Sequence, residues 1–116
     1  MPAGTYDITI EQGTDWSLTL TLSIGGERVN FGGYSARMQI RHRAASPTPL
    51  VSLTSDPASG ITLGGDAGTI TLELSASAAA AIVAGDHLYD LELIAPSTKV
   101  SRLIEGVCTV TAEITR

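Results

Sequence analysis

The chain has 116 residues, 16% of them charged and 4% aromatic, with a formal net charge of −5, which suits one domain, 1–116, around one core. An acidic balance with no lysine-rich run repels phosphate backbones and so excludes nucleic acid as an expected partner. No stretch approaches the roughly 20 apolar residues of a membrane span, and no basic segment followed by an apolar run opens the chain as a signal peptide would.

Period-two alternation recurs along most of the sequence. Tyr6, Ile8 and Ile10 alternate with Asp7, Thr9 and Glu11, which predicts a first strand over 5–11 with the apolar set inward. Trp16, Leu18, Leu20, Leu22 and Ile24 alternate with Ser17, Thr19, Thr21 and Ser23 in a second strand that Gly25-Gly26 ends. Over 34–43, Ala36, Met38 and Ile40 face inward and Arg37, Gln39 and Arg41 outward. Pro47 and Pro49 close that strand, because neither can donate to a central ladder. Short strands follow at 50–54 and 61–63, and the glycine-rich turn at 64–68 leads into a strand over 69–74.

Ser75 or Ser77 can cap a helix through the alanines up to Ala81, and Gly85 can end it. At about two turns such a helix is unstable alone, so it reads as a connector between sheets. Next, Ala84-Gly85-Asp86-His87-Leu88-Tyr89-Asp90-Leu91-Glu92-Leu93 puts a glycine corner, then a tyrosine at a strand start, then Leu-x-Leu. Immunoglobulin-like sandwiches turn between sheets in this way, with the tyrosine ring inward and its hydroxyl on upstream backbone at the corner. Strands over 87–95, 99–105 and 107–115 complete the chain, the first two separated by a turn at Pro96-Ser97-Thr98. The expectation is an all-β, immunoglobulin-like antiparallel sandwich of seven to nine strands, with one short helix at a sheet-to-sheet corner. Its core should hold Trp16, Leu18, Leu20, Met38, Ile40, Ile70, Leu72, Tyr89, Leu91, Leu93, Val110 and Ile114.

The residues that carry chemistry elsewhere are sparse and scattered. The lone Cys108 sits at an apolar strand position, the expected home of a buried structural thiol. His42 and His87 lie at strand ends with no Cys or His at metal-ligand spacing, and read as solvent-facing or edge-packed. No Gly-x-Ser-x-Gly elbow occurs, and the 64–68 turn lacks the Lys-Ser/Thr of a phosphate loop and the spaced carboxylates of a calcium loop. No catalytic residue, cofactor site or metal site is therefore expected. Arg37 and Arg41, with Arg43 beyond them, project from one strand, and Asp90 and Glu92 from another. In an immunoglobulin-like order those strands are neighbours, so the opposite charges form a cross-strand ladder of roughly 0.2–1 kcal/mol per pair. Alternatively, the planar arginine forks belong to a docking surface for carboxylates. The first and last strands, 5–11 and 107–115, are the candidate edges for accepting a partner's strand. Thr9, Glu11, Arg37, Arg41, Thr111 and Glu113 are the candidate interaction residues.

The strand wording also carries a resemblance. Tyr34-Ser-Ala-Arg-Met-Gln-Ile-Arg41, Gly60-Ile-Thr-Leu-Gly64, Gly68-Thr-Ile-Thr-Leu72, Tyr89-Asp-Leu-Glu-Leu93 and Arg102-Leu-Ile-Glu-Gly-Val-Cys-Thr-Val110 resemble the small β-sandwich proteins encoded among the structural genes of tailed bacteriophages and prophages. They are similar to the N-terminal domain of phage upper-baseplate proteins, which joins a tail or baseplate core to a receptor-binding fibre. Those proteins continue past this domain, whereas this sequence stops at Arg116. The resemblance therefore implies a non-enzymatic adaptor or bridging subunit of the tail, baseplate or fibre-attachment region. Such a subunit is made in the host cytoplasm, resides in the virion and has other virion structural proteins as partners. The alternatives are a carbohydrate- or receptor-binding sandwich module and a capsid decoration protein.

Overall fold

A computed structural model of the chain describes residues 4–56 and 58–115; the outermost residues of the expected 1–116 domain lie outside them. In chain order the strands are β1 (Gly4–Thr5), β2 (Ile8–Glu11), β3 (Trp16–Thr21), β4 (Ser23–Ile24), β5 (Glu27–Arg28), β6 (Ser35–Arg41), β7 (Val51–Ser55) and β8 (Ala58–Ser59). They continue with β9 (Ile61–Leu63), β10 (Thr69–Leu74), the helix α1 (Ala76–Ala80), β11 (Gly85–Ile94) and β12 (Val100–Thr111). Four of these strands have only two residues, and the longer eight fall within the expected seven to nine.

Alternation with one apolar face requires a second layer to cover that face, and the strands comply by dividing into two packed sheets. The larger has the order β1-β12-β11-β6-β7-β8, with β2 also on β12, and the smaller has the order β3-β10-β9. Strands β4 and β5 form a separate hairpin. Among the described residues the strands pair antiparallel except where β1 and β2 run parallel to β12, and one isolated parallel bridge joins Thr54 to Gly60. The larger sheet thus sets the last two strands beside β6 and is widened by β7 and β8. The helix α1 links β10 of one sheet to β11 of the other, at the expected corner.

Met38, Ile40, Ile70, Leu72, Tyr89, Leu91, Leu93 and Val110 are buried between the sheets, joined by Ile8, Ile10, Phe31, Ala79, Ile82 and Cys108. Burial pushes the Cys108 thiol up to about 11, as an apolar site disfavours the thiolate. Several expectations need correction. Trp16, Leu18 and Leu20 face inward but stay half-buried, because β3 is the edge of a sheet only three strands wide. The expected strand over 16–24 breaks at Leu22, whose N–H donates to the Gly68 carbonyl (2.8 Å) and whose carbonyl accepts from Val29 (3.0 Å). Ile24 consequently leaves the core and is exposed on the hairpin. Gly68 has φ +69° there, and a Cβ on it would stand 2.8 Å from the Leu22 carbonyl oxygen.

The last two expected strands are one, β12, and it stops at Thr111 because its partners end there, β11 at Gly85 and β2 at Glu11. Ile114, beyond any ladder, is 93% exposed. Ser75 caps α1 by accepting from Ala78 N–H (3.2 Å), but the helix ends at Ala81 rather than at Gly85.

The first strand is interrupted. A continuous parallel ladder would join the Tyr6 carbonyl to the Val107 N–H, but Val107 instead donates to Asp7 Oδ1 (3.0 Å). The Tyr6 carbonyl instead accepts the hydroxyl of Tyr89, 83 positions away in sequence. Tyr89 stands opposite Gly106 in the ladder, and a Cβ on Gly106 would come within 2.5 Å of the Tyr6 carbonyl oxygen. The tyrosine hydroxyl thus serves upstream backbone, as expected, but in the N-terminal strand rather than at the corner. Tyr6 itself, expected inward, is 45% exposed. Tyr89→Phe should lower stability by about 1 kcal/mol, moving the thermal midpoint by roughly 4 °C. Gly106→Ala should also destabilise and Ile114→Ala should not, as followed by calorimetry.

Candidate interaction surface

Residues that alternate away from the core meet in rows across the outer face of the larger sheet. Thr9, Thr109 and Asp86 make one row, and Val107, Leu88 and Arg41 the next. Thr5, Glu105, Asp90, Gln39 and Ser52 follow, then Arg102, Glu92, Arg37 and Thr54. A register shift between Leu91 and Glu92 turns Arg102 and Glu105, three residues apart, toward the same face.

Of the expected charge ladder one pair forms: Arg37 Nε lies 2.7 Å from Glu92 Oε1, directly across the ladder, while Arg41 stands opposite Leu88 and Asp90 opposite Gln39. Arg41 is held differently, donating to the Ser46 carbonyl (2.6 Å) and to Gln39 Oε1 (2.8 Å). Both guanidinium groups expected as docking forks are therefore already engaged. Arg43 lies past the end of β6, where its N–H donates to Ser46 Oγ (3.0 Å). Arg102 reaches Asp90 Oδ2 at 3.3 Å and Glu105 Oε2 at 3.7 Å.

Between these rows lies an open groove of about 580 Å³ whose lining includes Thr5, Asp7, Gln39, Arg41, Asp90, Glu92, Arg102 and Glu105. Four carboxylates face two guanidinium groups, so the groove carries an acidic excess. Burial, together with Glu92 and Glu105, holds the Asp90 carboxyl above its ordinary range against the opposing pull of Arg102 and Arg41.

The open edge adjoins this groove. Tyr6 N–H donates to the Glu105 carbonyl and Gln12 N–H to the Thr111 carbonyl, both at 3.0 Å. The register between them is constant, so Ile8 and Ile10 bond toward β12 while Thr9 and Glu11 direct their N–H groups to the free side. The Glu11 carbonyl is taken by Thr14, whose N–H (3.2 Å) and hydroxyl (2.8 Å) both donate to it.

The terminal strand is not an edge, contrary to expectation, since β12 is paired on both sides. Thr111 stands beside Glu11 in the ladder. Glu113 lies past the strand, half-buried, with its N–H donating to Gln12 Oε1 (3.0 Å) and its carboxylate against Gly13. Thr9, Glu11, Arg37, Arg41 and Thr111 thus share one sheet face, and Glu113 secures the tail beside it.

Sequence reasoning missed Asp7, Arg102 and Glu105 as groove residues, because a bulge hid the common face of Arg102 and Glu105 and the strand order that sets Asp7 beside them is not written in any one strand. It also left the histidines without partners, whereas His87 is buried and its Nδ1 lies 3.3 Å from that of His42. No family model matches the sequence, and no curated protein matches it.

Two predictions follow from this geometry. Thr9→Pro should leave the thermal midpoint close to wild type, while Thr111→Pro, which removes a donor directed at β2, should lower it by at least the roughly 4 °C that 1 kcal/mol represents. Because the folded state binds the Asp90 proton more tightly than the unfolded chain does, this group's favourable contribution is lost as pH rises from the ordinary carboxylate range through the raised folded value. Asp90→Asn should therefore raise the midpoint relative to wild type at neutral pH, with the difference closing near about pH 3.

Proposed function

We propose that the chain is a non-enzymatic structural protein of a tailed phage particle, an adaptor or bridging subunit of its tail, baseplate or fibre-attachment region. The phage assignment is supported by the strand wording. The mode of attachment is supported by one observation: the rim of the acidic groove at Thr5 and Asp7 belongs to the segment that presents the unpaired N–H groups of Thr9 and Glu11.

A partner strand added to β2 satisfies those backbone groups and runs past the mouth of the groove. Lysine or arginine side chains on that partner then meet Asp7, Asp90 and Glu105. A second copy offering the same edge would bring Asp7 and Glu11 toward each other's charges, so the edge favours a basic partner over itself. The carbohydrate-binding alternative calls for an aromatic face to stack on a sugar ring, but the aromatic residue in the groove's lining, Tyr89, is 4% exposed.

The test is particle assembly by a phage encoding the chain, with Thr9→Pro or Glu105→Lys introduced and folding verified by circular dichroism. Each variant should leave tails incomplete and non-infectious. Normal incorporation of both folded variants would refute strand addition at this edge. Complete particles that assemble without the gene yet fail to adsorb would favour the receptor-binding alternative.

A further inference from the structure

The chain contains two histidines, and the fold brings them together. His42, exposed just past the end of β6, and His87, 3% exposed on the inner face of β11, stand with Nδ1 3.3 Å from Nδ1. Their ring centroids are 5.4 Å apart with the planes at 66°, so the two nitrogens form the facing edges of the rings.

The hydrogen positions follow from the partners. His87 Nε2 lies 2.6 Å from the Val83 carbonyl oxygen, which can only accept, so Nε2 carries the hydrogen and Nδ1 presents its lone pair. His42 Nδ1 then donates into that lone pair. An imidazole whose far nitrogen is held on a backbone carbonyl is oriented as metal-binding histidines are. The spacing agrees as well, since two nitrogens each bound at about 2.0–2.1 Å to a tetrahedral ion stand about 3.3–3.4 Å apart.

We propose that His42 and His87 form a two-histidine site for a divalent late first-row transition ion of the Zn²⁺ class. The ion takes the place of the shared proton: His42 shifts its hydrogen from Nδ1 to Nε2 through solvent, and both Nδ1 lone pairs bind the ion with no change of oxidation state. Among the described residues no third His, Cys, Asp or Glu completes a cluster, so water fills the remaining positions. Cys108 is the ladder neighbour of His87 but joins no such cluster. Occupancy ties the exit of β6 to the start of β11 and to the Val83 carbonyl behind it, and binding to the folded state alone stabilises that state by mass action.

The test is a ZnCl₂ titration of the untagged protein, followed by calorimetry. The thermal midpoint should rise with Zn²⁺ and return on chelation, one ion should bind per chain, and MgCl₂ should have no effect. His42→Ala changes an exposed side chain and should fold as wild type, but it should weaken Zn²⁺ binding by about 10-fold or more. Nitrogen-15 spectra of the wild-type imidazoles should place the ion on Nδ1 of both rings. A wild-type midpoint unmoved by millimolar ZnCl₂, undiminished binding in His42→Ala, or ion signals away from these nitrogens would each overturn the proposal.

Discussion

The hydroxyl of Tyr89 donates to the Tyr6 carbonyl over a residue that has no side chain, and the placement of the N-terminal strand depends on that contact. Gly106 supplies the gap; any larger residue would put a Cβ against the Tyr6 carbonyl oxygen. With that carbonyl drawn to the tyrosine, the Val107 N–H loses its ladder partner and Asp7 supplies a carboxylate in its place. The exchange satisfies every backbone group involved, as a half-buried ladder requires. Asp7, outward by alternation, is also part of the groove's rim.

The two faces of the larger sheet obey different rules. Inside, Met38, Ile40, Leu91 and Cys108 exclude water almost completely, and burying this apolar area is the main source of stability. Outside, arginines and carboxylates stand in exposed pairs of the kind that contribute little to stability individually. Their main effect is on specificity: four carboxylates against two guanidinium groups leave the groove a net negative charge. The same alternation that builds the core thus also selects the sign of a partner.

Edges and ends are arranged with comparable economy. Because β12 lies between β11 and the first strands, the first and last strands lie side by side at one border of the sheet. Gln12 holds that border together: its amide donates to the Ile82 carbonyl (2.8 Å) and its amide oxygen accepts from Glu113 N–H (3.0 Å). A free backbone edge is therefore presented by a segment that is itself well secured, which favours adding a strand over exchanging one.

Sequence alone determined which residues are inward on most strands, the helix at the corner, the inward tyrosine and the neighbouring of the strand that bears Arg37 and Arg41 with the one that bears Asp90 and Glu92. Each follows from local periodicity, capping chemistry or the neighbour order of one sandwich type. Tertiary structure alone decided how deeply Trp16 is covered, since that depends on the width of the sheet to which β3 belongs. It likewise decided that Thr111 is interior to a sheet, that a bulge aligns Arg102 with Glu105, and that His42 meets His87. These are relations between residues separated by tens of positions, fixed by strand order and register, and the side-chain pattern of a single strand carries no information about which strand will lie beside it.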